Sequence, residues 1–172
     1  MLRHMLDIAE INRLDSTGFL SAFGGVYEHS PWVAERCLEK RPFGSRDDLV
    51  RTMSRIVDEA AEEDKTALIL AHPDLAGKLA RAGALTAEST REQAGLGLDR
   101  LSDEEFEVFS RFNDAYREKF GFPFIICARL TTKAGVIDAF RQRLENNVES
   151  EKLEALRQIH QIARLRIEDK VS

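Results

Sequence analysis

The sequence predicts an all-α, single-domain bundle of about eight helices over residues 1–172. Three observations predict it. Helix-start signals, a Ser or Thr just ahead of an apolar-periodic run, recur along the chain. Apolar residues return every three or four positions through most segments. The one strand-like run, FPFIICARL at residues 122–130, has no evident partner strand.

Each element follows from its own residues. Ser30 followed by Pro31 reads as an N-cap with proline in the first turn, ahead of WVAERCLEKR. Pro42, Phe43 and Gly44 end that helix. Ser45 opens the next, with Asp47 and Asp48 favourable at its positive end. Leu49, Met53, Ile56 and Ala60 form its stripe. In KTALILAHPDLAGKLARAG, Pro73 breaks any helix running through Leu70, because proline lacks an N–H and clashes with the preceding turn. Asp74, Leu75 and Leu79 begin a short helix with Gly83 at its C-cap.

Thr86 and Ser89 offer two further starts, and Ser89 with Glu92 matches a capping box. Ser102 with Glu105 is a second box. It heads DEEFEVFSRFNDAYREKF, whose Phe106, Phe109, Phe112, Tyr116 and Phe120 share a face until Gly121 ends the helix. A lone strand leaves its backbone groups unpaired, so FPFIICARL is either a buried extended connector or part of a helix. Thr132 starts a helix through Leu144. The last helix runs from about Ser150 to Ile167, with Leu153, Leu156, Ile159, Ile162 and Leu165 as its stripe.

Composition narrows the function classes. Hydrophobic residues at 43% and charged residues at 32% are a globular balance. A net charge of −5 argues against a broad basic face, hence against nucleic acid as a partner. No apolar run approaches the roughly 20 residues needed to span a bilayer. MLRHMLDIAEINRLD lacks a signal-peptide core, and EDKVS is not a Ser-Lys-Leu address, so a cytoplasmic setting is expected. The two cysteines, Cys37 and Cys127, cannot make a disulfide scaffold and read as core residues. Paired metal-binding histidines, phosphate loops, dinucleotide fingerprints and nucleophile elbows are all missing.

What remains is polar residues in unusual places. His72 sits beside Pro73 at a break between helices; it reads either as a satisfied structural histidine or as a proton carrier near neutral pH. On a helix, Ser89, Glu92 and Gln93 share one face, offering a hydroxyl, a carboxylate and an amide to a polar heterocycle. The alternative is that Ser89 and Glu92 only cap. Gly95 and Gly97 cost helix stability and suggest close approach of a backbone or ligand. FPFIICARL reads as plain core, or as backbone groups able to pair with an imide edge. Arg166, in the apolar stretch QIARLRIE, needs an anionic partner if buried and otherwise snorkels to solvent.

Taken in order, AHPDLAGKLA, LTAESTREQAGLGLDRLS, FNDAYREKFGFPFIICARL and RLENNVESEKLEALRQIHQIARLRI resemble the 2-oxo-4-hydroxy-4-carboxy-5-ureidoimidazoline (OHCU) decarboxylases. LDSTGFLSAFGGVYEHSPWVAERCLEKRPF is similar to that family's N-terminal helices. One departure is AGLGL, with Leu96 where many members carry alanine. The resemblance implies a homodimeric all-α enzyme with no metal or organic cofactor, acting on the small molecule OHCU to give S-allantoin in urate breakdown. It implies His72 as proton donor, Glu92 as essential carboxylate and Arg166 as the partner of the substrate's carboxylate. Substrate contacts are implied at Pro73, at Ser89, Thr90, Arg91, Glu92 and Gln93, and at Phe124, Ile125, Ile126, Cys127 and Ala128. Two alternatives remain at this point: a non-catalytic helical binding module, and an enzyme acting on another ureide.

Overall fold

A computed structural model of the chain describes residues 3–172, with the side chains of Lys78 and Leu79 outside the description. The all-α class is observed. In chain order the helices are α1 (Ile8–Arg13), α2 (Ser16–Phe23), α3 (Trp32–Leu38), α4 (Arg46–Asp58) and α5 (Glu62–Leu70). There follow α6 (Lys78–Arg81), α7 (Ala87–Gly95), α8 (Asp103–Phe120), α9 (Lys133–Arg143) and α10 (Val148–Glu168). Two 3-10 turns lie at Leu98–Arg100 and Ala128–Leu130. Contacts group the residues into two compact units.

The first unit comprises Met1–Ala71 and His160–Ser172. Its helices begin where short polar side chains satisfy the open N–H groups of a first turn. Asp7 and Glu10 form a reciprocal capping box, Asp15 accepts from Gly18 N, and Ser45 accepts from Asp48 N at 3.0 Å. The expected cap at Ser30 does not form. Its hydroxyl donates to the Glu28 carbonyl at 2.9 Å, and Pro31 occupies the cap position instead.

Helix α3 packs against α2 and α4. Ile11, Phe19, Phe23, Val33, Cys37, Leu49, Met53 and Val57 fill the centre. In α4 the buried positions are Leu49, Met53 and Val57, so Val57 rather than Ile56 continues the stripe. Each fully buried aliphatic or aromatic side chain of this kind contributes about 1.5–3 kcal/mol. Asn12 clips the loop after α3 by accepting from Phe43 N at 2.8 Å and donating to Phe43 O at 2.9 Å. The terminal segments pair where Leu6 N donates to Lys170 O and Ser172 N to Leu6 O.

The second unit is His72–Ile159. Helix α8 carries the expected Ser102–Glu105 capping box and ends at Gly121, whose φ of 80° is the left-handed geometry glycine tolerates best. Thr132 caps α9 as expected, accepting from Gly135 N at 3.0 Å. Residues 122–127 form neither helix nor strand and are mostly buried, and Ala128–Leu130 close the segment as a 3-10 turn, so FPFIICARL is a connector over its first six residues and helical only in its last turn. Phe124 stacks on Phe140 with ring centroids 3.8 Å apart, and Tyr116 meets Phe124 edge-on at 5.3 Å. Such aromatic pairs add about 0.5–1.5 kcal/mol beyond burial.

Two further expectations change. Asp74 and Leu75 do not start a helix; the chain turns through Leu75–Ala76 and α6 begins only at Lys78. Leu79, expected to pack in that helix, has a side chain outside the description. In α10, Leu153 is 71% exposed rather than buried, while Glu151, Ala155, Ile159, Ala163 and Arg166 are buried. The buried face therefore runs through small and polar side chains that a stripe of large aliphatics does not reveal.

Candidate active site

His72 is buried, 7% exposed, immediately after the end of α5. The loop behind it is tied down at three successive residues. Arg117 Nε on α8 donates to Asp74 Oδ1 at 3.0 Å. Asn113 Nδ2, on the same helix, donates to Leu75 O at 2.8 Å. Gln93 Oε1 on α7 accepts from Ala76 N at 2.9 Å. Ala76 has φ of +51°, a left-handed conformation that costs a residue with a Cβ roughly 1–2 kcal/mol. At Gly77 an added Cβ would come within 3.0 Å of the Asp74 Cβ. Strain held by several independent bonds is a mark of a functional site.

Helix α7 supplies the second part. Thr86, not Ser89, is its N-cap, accepting from Ser89 N at 3.2 Å. Ser89 is therefore inside the helix and buried, which removes the capping explanation for it. Gln93 is buried one turn on, and Glu92 beside them is half-buried. Thr90 and Arg91 are exposed; the Thr90 hydroxyl donates to Thr86 O at 2.8 Å. Of the five residues from 89 to 93, Ser89, Glu92 and Gln93 are thus brought to the covered side.

The third part is the connector. Helix α7 packs on the 3-10 turn Ala128–Leu130 that ends it. Phe124, Ile125, Cys127 and Ala128 are buried and Ile126 is half-buried. Two backbone groups there are held by the protein: Ile125 O accepts from Arg143 Nη1 at 2.6 Å, and Cys127 N donates to Gln158 Oε1 at 2.8 Å. Burial pushes the Cys127 thiol up, and the negative charge of Glu92 pushes it the same way. Pro73 is half-buried beside His72.

Behind the connector lies a buried charged cluster. Arg143 Nε sits 2.7 Å from Glu151 Oε1, and Asn146 donates to Glu151 Oε2 at 2.9 Å. The Tyr116 hydroxyl donates to Glu151 at 2.5 Å, and the Arg143 guanidinium lies 4.3 Å from the Phe124 ring centroid. Asn113, Arg143 and Glu151 escaped the sequence reading. A signal existed for Asn113: it interrupts the aromatic face of α8 between Phe109 and Tyr116.

Arg166 belongs to the first unit. It is 4% exposed, and the anionic partner its burial demands is Glu28, at 2.9 Å from Nη1 to Oε2. The glycines of AGLGL do not admit a close backbone. An added Cβ at Gly95 or Gly97 would meet nothing within 4 Å, and Gly97 is needed for its φ of 75° instead. Among the described residues no cluster of three or more His, Cys, Asp or Glu could hold a metal ion. None of the described helices is long and apolar enough to cross a membrane.

The pattern of the family described as OHCU decarboxylase matches residues 12–168. The 2-oxo-4-hydroxy-4-carboxy-5-ureidoimidazoline decarboxylase of Haloferax volcanii is 41% identical over 169 residues, covering 98% of both chains. The protein of that name from Halalkalicoccus jeotgali is 38% identical, covering 95% of this chain and 91% of its own. Among solved structures, the crystal structure of an (S)-allantoin synthase superposes with a TM-score of 0.77 at 31% identity, covering 96% of this chain. This chain spans 54% of that protein's length.

Proposed function

The chain belongs to the OHCU decarboxylase family, and we propose that it decarboxylates OHCU to S-allantoin in urate breakdown, with His72 as general acid–base. The observation that carries the role of His72 is the strained loop next to it, fixed at Asp74, Leu75 and Ala76 by side chains of α7 and α8. A proton donor that must serve one face of a planar carbanion needs a fixed position.

The chemistry runs within the substrate. The bond from the ring carbon to its carboxylate breaks, CO2 leaves, and the electron pair passes into the ring's conjugated C=N and carbonyl system. The 4-hydroxyl becomes the ring carbonyl as its proton passes to the ring nitrogen, and His72 delivers a proton to the adjacent ring carbon that carries the ureido group; delivery from one side makes the product S-handed. General acid–base help of this kind is worth roughly 10²–10⁴-fold. Glu92 takes the substrate's N–H or hydroxyl groups and orients His72. Arg166 takes the carboxylate or a carbonyl oxygen through charge-assisted hydrogen bonds. Ser89, Gln93, Pro73 and the backbone from Phe124 to Ala128 line the ring. Thr90 and Arg91 complete the proposed contact set from α7.

No step in this scheme calls for a metal or organic cofactor. The same reading takes residues 1–172 as one functional domain, acting as a cytoplasmic homodimer. Circular dichroism on freshly generated OHCU tests the activity. The enzyme gives fast, one-handed allantoin; slow racemic decay unchanged by the protein contradicts the reading and returns the chain to a binding module. Turnover confined to another ureide points to the second alternative.

A further inference from the structure

We infer that Glu28 is the positioning residue for Arg166, an inference that rests on the substrate-binding role proposed above for that arginine. Both side chains are almost fully buried, with exposures of 1% and 4%. A buried guanidinium without a counter-charge is strongly unfavourable, so something must neutralise Arg166 whenever substrate is away. Glu28 does so at 2.9 Å.

The geometry goes beyond neutralisation. Arg166 Nη1 faces three oxygens of one turn: the Glu28 carboxylate, Gly25 O at 3.3 Å and Val26 O at 3.4 Å. A guanidinium is a rigid plane, so fixing one end nitrogen sets the direction of the whole fork. The turn is itself held. Ser30 Oγ donates to Glu28 O at 2.9 Å, and the neighbouring Tyr27 hydroxyl bonds to His160 Nδ1 at 2.9 Å. His160 in turn bonds through Nε2 to Asp58 Oδ1 at 2.9 Å. At Gly24, which leads into the turn, a Cβ would come within 2.5 Å of Leu20 O, so the backbone there has no room to re-form with a larger residue. Glu28 is thus a fixed acid on a fixed turn, and Arg166 takes its orientation from it.

The test is a double-substitution cycle on OHCU turnover, using E28Q, R166Q and the pair together, with far-UV circular dichroism as the check on folding. E28Q keeps an acceptor and removes the charge. It is expected to lower kcat/KM on the order of tenfold to a hundredfold, chiefly through KM, as a misplaced binding group does. In the R166Q background, E28Q is expected to have no further effect. The inference is overturned if E28Q behaves as wild type while R166Q is impaired, or if the two losses multiply. If R166Q alone retains wild-type kcat/KM, the substrate-binding role of Arg166 fails first and the inference falls with it. Should either glutamine variant unfold, E28D and R166K, which keep the charges, replace it in the same cycle with the same expectation of non-additivity.

Discussion

Gln93 holds the left-handed Ala76 in place: its Oε1 accepts the Ala76 N–H at 2.9 Å, both residues being buried. Gln93→Leu removes the acceptor and leaves a buried N–H unpaired, which costs about 1–3 kcal/mol. Ala76→Gly acts in the opposite direction. It relieves a strain of about 1–2 kcal/mol, less the extra backbone entropy glycine loses on folding. Urea unfolding midpoints at unchanged slope measure both, with Gln93→Leu shifted down and Ala76→Gly unchanged or up.

The Arg143–Glu151 pair behind the connector is predicted to be structural. Glu151→Ala strands a buried guanidinium and removes the acceptor of the Tyr116 hydroxyl. Breaking one side of such a pair typically costs about 3–5 kcal/mol. Urea denaturation should show the loss, accompanied by faster hydrogen exchange over residues 122–128. A stability change near zero would contradict the structural role.

These two relationships also show what was legible in the sequence. The caps at Ser45, Ser102 and Thr132 and the stop at Gly121 form where expected, because each is a contact between residues a few positions apart. Leu153 on α10 is exposed where its helical spacing predicts burial, because spacing alone does not say which face of a helix meets the rest of the fold. Ala155 and Ala163 are small side chains on the buried face, Glu151 is buried through its ion pair with Arg143 at the end of the preceding helix, and Arg166 through one with Glu28, far along the chain. His72, Ser89, Glu92 and Gln93 stood out as polar residues in special positions. Glu28, which looks like any surface acid in VYEHSP, did not, and neither did the clamps from Asn113 and Arg117. Pairings across long stretches of chain leave no periodic trace.

The chain has two tyrosines, Tyr27 and Tyr116, and burial pushes the pKa of both well above the ordinary 10.0. The hydrogen bond to Glu151 pushes Tyr116 further in the same direction. Both phenols stay neutral in the folded chain while the unfolded chain ionises, so the stability they supply is intact below pH 10 and drains away as pH rises above it. An alkaline titration followed by phenolate absorbance should therefore show a single step that coincides with loss of helical circular dichroism. A separate phenolate step before unfolding would contradict this.

Both cysteines are buried, and burial pushes the Cys37 thiol up to about 12. Only the thiolate reacts with disulfide reagents. At mildly alkaline pH the folded protein should release almost no thionitrobenzoate from Ellman's reagent, and denaturant should expose two equivalents. Rapid labelling of the native protein would show that Cys37 or Cys127 is accessible.

The most direct test compares wild type and His72→Ala for the rate and handedness of allantoin formation from fresh OHCU, followed by circular dichroism. The variant is expected to keep its helical spectrum, lose acceleration by roughly 10²–10⁴-fold, and leave a product close to racemic. A folded His72→Ala protein that still yields S-allantoin at the wild-type rate would contradict the role of His72.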